Sequence, residues 1–306
     1  MASTKAGRLE SPLIGVRELA AALSALPPGE VHARAPWVVV DCRFNLLKPD
    51  AGRAAYLDGH IPGAWYADLD RDLSSPPGPL TGRHPLPEPE QLRLLFGRFG
   101  IGPESRVVAY DEGGGGIAAR LWWLLRWMGH RSAYLLDGGL AAWQKAGLSL
   151  SQAIPDPQQR RFVGEPGHMP VLTTEGVAKG LSGQTIQLLD VRAEERFLGR
   201  VEPIDPVAGH VPGAANVPFA GNLDADQRFQ APEALGRRYA PLAAGHQPAD
   251  IVCMCGSGVT ACHGILALEL AGVPGAALYA GSWSEWIRSP DRPVATSAPG
   301  PATPAG

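Results

Sequence analysis

Gly59-His60-Ile61-Pro62-Gly63-Ala64 reads GHIPGA, and about 150 residues on the chain reads GHVPGA at 209–214. The echo extends outward in both directions and in the same order. VVVDCR (38–43) is answered by QLLDVR (187–192), and RVVAYDEGGGG (106–116) by DIVCMCGSGV (250–259). LDGGLAAW (136–143) is answered by YAGSWSEW (279–286), and PLIGVRELAAAL (12–23) by PVLTTEGVAKGL (170–181). Matches kept in order over such a distance mean two copies of one domain. Within a copy, WVVVD and RVVAY are short β-branched runs that end at polar or Gly-rich turns, as buried parallel strands do. IAARLWWLLRWMG and TACHGILALELAG have helical length and stop at Gly129 and Gly272. Strand, loop, helix and strand in series predict an α/β fold, each copy a parallel sheet flanked by helices. The active residues are then expected at the carboxyl ends of strands. The domains are placed at 1–150 and 171–290. A polar, Pro-rich linker joins them at 151–170, and a Pro/Ala-rich disordered tail follows at 291–306.

The 306 residues are 45% hydrophobic and 19% charged, enough to bury a core in each copy. A formal charge of -3 and a pI near 6.2 give no electrostatic case for nucleic acid or an anionic membrane. No run of eighteen apolar residues is present, and MASTKAGRLESPLIGV lacks a secretory h-region. With 4 cysteines in a chain of this length, a disulfide scaffold is excluded and the cytoplasm is the expected setting.

Three of those cysteines fall in CMCGSGVTAC (253–262). Zinc sites favour Cys-x2–4-Cys pairs, which this is not, so no metal is expected. A Cys253–Cys255 disulfide would be strained, because strand neighbours two apart point in parallel. Cys253, Cys262 and Cys42 are read as packed thiols. Cys255 differs: it ends a strand, a helix starts near Thr260, and Gly256, Ser257 and Gly258 lie between. Glycines let such a loop curl its backbone N–H groups inward, and amides converging at a helix N-terminus stabilise an anion. A Cys255 thiolate held there is a sulfur nucleophile.

The loop CGSGVT, the doubled GH[IV]PGA, the RxWWxLRxxGH segment and the DGG…W/GSWSEW pair resemble the two-domain rhodanese-type sulfurtransferases. The likeness covers the chain from about Pro12 to Ile287. Gly256 and Ser257 after the cysteine resemble the 3-mercaptopyruvate branch. The thiosulfate branch carries basic residues there. The resemblance implies tandem rhodanese-like domains and transfer of sulfur from 3-mercaptopyruvate to Cys255, with loss of pyruvate. The Cys255 persulfide then gives its sulfur to thioredoxin, a small thiol or cyanide, and no cofactor is needed. Backbone groups of Gly256, Gly258, Val259 and Thr260 would cradle the sulfur. Arg196 matches the family's carboxylate-binding arginine, and Arg200 is taken as the second. Arg192 is read as structural.

The family's proposed Ser-His-Asp relay would here be Ser257, with His60 of GHIPGA and Asp50, although His210 repeats His60 without a catalytic task. Asp72, Arg83 and His84 are read as cleft or interface residues without a role. Trp286 is read as core because Trp143 repeats it, and Trp283 as core or pocket mouth. Ala280 stands where the family often has Asp, which Asp137 keeps. Asp111 replaces the cysteine in the first copy, so that copy is read as catalytically silent. A phosphatase of related fold needs Cys-x5-Arg, but position 261 is Ala. The remaining alternatives are a thiosulfate-to-cyanide transferase and a non-catalytic sulfur-carrier or binding module.

Overall fold

The computed structural model describes residues 11–25, 37–156 and 160–296. The first copy runs β1 (Leu13–Ile14), α1 (Val16–Ser24), β2 (Trp37–Asp41), α2 (Ala51–Asp58), β3 (Trp65–Tyr66), α3 (Pro89–Arg98), β4 (Arg106–Tyr110), α4 (Ala118–Trp127), β5 (Ala133–Leu136) and α5 (Gly139–Lys145). The second runs β6 (Val171–Leu172), α6 (Thr174–Ser182), β7 (Gln187–Asp190), α7 (Glu194–Phe197), β8 (Ala215–Asn216), α8 (Pro232–Ala243), β9 (Ile251–Met254), α9 (Thr260–Leu270), β10 (Ala277–Tyr279) and α10 (Ser282–Trp286). The strand orders are β1-β5-β4-β2-β3 and β6-β10-β9-β7-β8, the same order twice. Every pairing in both sheets is parallel.

The central strands are apolar on both faces because helices cover both sides. Val38 to Val40 and Val107 to Ala109 are all buried in the first sheet, as are Leu188, Leu189 and Ile251 to Met254 in the second. Gly129 and Gly272, each with φ +86°, take the left-handed conformation that closes a helix beyond α4 and α9. The two helices pack on one another, and the largest apolar cluster is continuous through both copies.

The segment expected to be a linker is fastened to the first copy. Ser151 pairs with His60 through two backbone bonds, and Phe162 is buried in the core. Part of the expected disordered tail is also held. Ala295 pairs with His210 through backbone bonds of 2.8 and 3.0 Å, and Trp286 Nε1 donates to Pro293 O. Both contacts satisfy polar groups that burial of His210 and Trp286 would otherwise strand. The rest of the tail, 297–306, lies outside the described residues. No helix among the described residues is long and apolar enough to cross a membrane.

Candidate active site

Cys255 follows β9 directly and is 2% exposed, at the carboxyl edge of the second sheet. Its loop is clamped from one side by α10. Trp283 N donates to Cys255 O (3.0 Å), Ser284 N to Gly256 O (2.8 Å), and Cys255 N to Ser282 Oγ (3.1 Å). Gly258 must be glycine twice over: its φ is +78°, and a Cβ there would strike the Ala280 carbonyl. Ala280 thus meets the loop through its backbone.

The first copy shows what this architecture holds. Leu140 N and Ala141 N clamp Asp111 O and Glu112 O as Trp283 and Ser284 clamp Cys255 and Gly256. There the Asp111 carboxylate accepts from the amides of Gly115 (3.0 Å), Ile117 (2.9 Å) and Ala118 (3.1 Å). An anion at the strand end is therefore gathered by the loop and helix N-terminus. In the second copy the matching position is the Cys255 sulfur, and the amides of Gly256 to Thr260 meet no protein acceptor among the described residues. Val259 packs into the core, and the Thr260 side chain faces a cavity of about 460 Å³ shared with Asp111, Gly116 and Phe219. Both can serve the loop through their backbone.

Ser257 is bonded to a histidine, but not to His60. Its Oγ lies 2.7 Å from His84 Nδ1, and His84 Nε2 lies 3.1 Å from Asp70 Oδ1. A carboxylate only accepts, so His84 Nε2 carries the hydrogen and Nδ1 accepts from the Ser257 hydroxyl. Burial first, then the charges of Arg120 and Arg83, push His84 down to about 3, so its imidazole is neutral. His60 is instead fully buried, with Nδ1 2.8 Å from Tyr56 O and Nε2 3.1 Å from Ala153 O. Its ring stacks on Tyr56 as His210 stacks on Phe197. The doubled motif therefore fixes a helix end in each copy. Asp50, the expected acid, is exposed and ion-paired with Arg71.

Arg196 reaches the loop. Its guanidinium nitrogens lie 3.6 Å from where a Gly256 Cβ would stand. They are also bonded to Glu202 (2.8 to 3.1 Å) and Asp205 (3.1 Å). Arg200 is exposed and does not join the cluster. In the place expected for it stands Arg83 of the first copy, whose Nη2 is 2.9 Å from the same Gly256 position and which is ion-paired with Asp205. Arg192 grips Asp190 (2.6 Å) and Gly209 O (2.8 Å), as Arg43 grips Asp41 and Gly59 O.

The family "Rhodanese-like domain" matches residues 28–146 and again 173–289. The chain belongs to the rhodanese family. A probable 3-mercaptopyruvate sulfurtransferase of Pseudomonas aeruginosa is 51% identical over 261 residues, 85% of this chain and 92% of that one. A thiosulfate sulfurtransferase of Rattus norvegicus is 35% identical over 258 residues, 82% and 84% of the two chains. The crystal structure of SseA from Escherichia coli, from the 3-mercaptopyruvate sulfotransferases, superimposes with a TM-score of 0.75 at 31% identity. That match covers 90% of this chain and 100% of SseA. The protein is a tandem-rhodanese sulfurtransferase that uses a small-molecule sulfur donor.

Within the rhodanese pair, Arg120 of α4 is a further residue for which the sequence reading had no role. It is fully buried and donates to Leu73 O, Gly258 O, His84 O and Pro85 O. It thus ties the Cys255 loop to the His84 segment, and its charge works against burial at the Cys262 thiol. An arginine amid AARLWWLL is the available signal, because such a side chain is buried only with partners. Cys42, Cys253 and Cys262 are buried free thiols whose pKa burial raises, Cys262 to about 12, so they stay protonated. Trp283 and Trp286 are buried core.

Proposed function

We propose that Cys255 takes the sulfur of 3-mercaptopyruvate and passes it to a dithiol protein such as thioredoxin, a small thiol or cyanide, in the cytoplasm. The supporting observation is the Ser257–His84–Asp70 chain beside the cysteine loop. The Cys255 thiolate attacks the donor sulfur, and the carbon–sulfur bond breaks toward the pyruvate enolate. Ser257, backed by neutral His84, relays the donor thiol's proton to the enolate carbon, giving pyruvate. The outer sulfur stays on Cys255 as a persulfide anion in the amide cradle. Cyanide then takes that sulfur as thiocyanate and restores the thiolate.

A proton relay favours this donor over thiosulfate, because leaving sulfite needs no proton at carbon. The absence of a basic residue directly after Cys255 points the same way. The test is intact-protein mass spectrometry after exposure to mercaptopyruvate. Wild type gains one sulfur that cyanide removes, and Cys255→Ser gains none. A sulfur gain surviving in Cys255→Ser, or a higher kcat/KM for thiosulfate, overturns the proposal.

A further inference from the structure

We propose that Arg83, from the catalytically silent copy, is the second guanidinium of the donor's carboxylate site, and that the Asp205 carboxylate marks the place that carboxylate takes. This rests on the reading of the donor as a 2-oxo acid bearing a thiol.

Arg83 and Arg196 both face Gly256, the residue next to the reacting sulfur. They come from opposite copies and converge on one carboxylate. Asp205 Oδ1 accepts from Arg83 Nη1, and Asp205 Oδ2 from Arg196 Nη2. A carboxylate held by two guanidinium groups beside the nucleophile is the arrangement that an anionic donor needs.

The two arginines are not equally free. Arg196 is held by Glu202 through Nε at 3.1 Å and through Nη2 at 2.8 and 3.0 Å. Glu202 also accepts the amides of Ile204 and Asp205 and faces Arg192 at 3.6 Å. Among the described residues Arg83 has no such second acid. Its Nε is buried without a hydrogen-bond partner among the described residues. A buried N–H left unbonded is costly, and a donor oxygen would satisfy it.

Arg83 is also held in position. Its amide donates to Ser284 Oγ (3.1 Å), and the preceding Gly82 amide to Glu285 Oε2 (3.3 Å), both on α10, which clamps the cysteine loop.

Of the two acids, Asp205 is the one to yield. Burial raises its carboxyl above the ordinary range despite Arg83, whereas Glu202, although burial acts to raise it, is drawn down by the Arg196 hydrogen bonds. The donor carboxylate would therefore exchange with Asp205, leave Glu202 in place to orient Arg196, and bridge the two copies over Cys255.

Two alkylating reagents that differ in one group test this on the full chain. Iodoacetate carries a carboxylate and iodoacetamide does not, and both modify the same thiol. Alkylation of Cys255 is followed by peptide mass spectrometry in wild type, Arg83→Ala, Arg83→Lys and Asp205→Asn.

Arg83→Ala is expected to slow iodoacetate about ten- to a hundredfold while iodoacetamide changes less than about twofold. Arg83→Lys should recover part of the loss, and Asp205→Asn should speed iodoacetate. An unchanged iodoacetate rate in Arg83→Ala, or equal slowing of both reagents, overturns the proposal. The reading of the donor fails separately. If mercaptopyruvate leaves no sulfur on Cys255 while iodoacetate still depends on Arg83, the carboxylate site stands and the donor must be another carboxylate-bearing thiol.

Discussion

His84 shows how one side chain acquires a role through its surroundings. Burial first, then Arg120 and Arg83, depress its proton affinity to about 3 and keep it able to accept the Ser257 proton. His263, wholly buried against Phe229, is likewise driven to about 3 by burial. Both values lie below that of an unfolded histidine, about 6.5. Between those limits the unfolded chain binds more protons than the folded one, so stability rises with pH. The contribution is present above about pH 6.5 and is lost as pH falls toward 3. Urea unfolding at pH 7, 5.5 and 4 should show stability falling with acid. His84→Asn should have a shallower slope, and it should also lower mercaptopyruvate turnover about a hundredfold or more, the usual worth of a positioned acid–base group. An unchanged slope together with unchanged kcat would remove His84 from both roles.

At the scale of elements, strand, loop and helix form one anion-gathering unit, built twice. The first copy fills it with Asp111, whose carboxyl burial raises while three loop amides draw it down. The second fills it with sulfur on a loop two residues shorter, so Gly258 must turn sharply at φ +78° against Ala280. Gly258→Ala meets both the left-handed backbone and the Ala280 carbonyl. It should cost about 1–3 kcal/mol in urea unfolding, the usual price of such strain. It should also lower kcat, because relieving the contact displaces the loop that holds Ser257 against His84. Wild-type stability and turnover in this variant would mean that the loop is not shaped by that contact.

At the scale of the molecule, the candidate active site belongs to neither copy alone. Cys255, Ser257 and Arg196 come from the second; His84, Asp70, Arg83 and Arg120 come from the first. The halves are joined by a continuous apolar core, by Arg126–Glu269 at 3.3 Å, and by the Phe229 amide donating to Asp137 (2.9 Å). Separating them would expose that core and strand the Arg120 guanidinium, so neither half should persist alone. Denaturation followed by tryptophan fluorescence and by far-UV circular dichroism should give one coincident transition, since buried tryptophans report on both halves (Trp122 and Trp123, Trp283 and Trp286). Two resolved transitions would show that the halves fold independently.

The sequence by itself determined the duplicated α/β plan and singled out Cys255. Strand runs, the Gly129 and Gly272 stops and the CGSGVT turn are each encoded within a few neighbouring residues, where backbone preferences act. It also held the warning about His60, since GHIPGA and GHVPGA repeat while the cysteine loop does not, Asp111 standing where the second copy has Cys255. What it could not reveal is which polar groups meet. Ser257 and His84, Arg196 and Arg83, and Gly258 and Arg120 lie far apart in the chain, and nothing local couples them. Only the docking of the two copies, driven by burial of a shared apolar core, brings these groups together. The need to satisfy each buried donor and acceptor then selects the pairs, and that is how His84 rather than His60, and Arg83 rather than Arg200, came to stand beside the Cys255 loop.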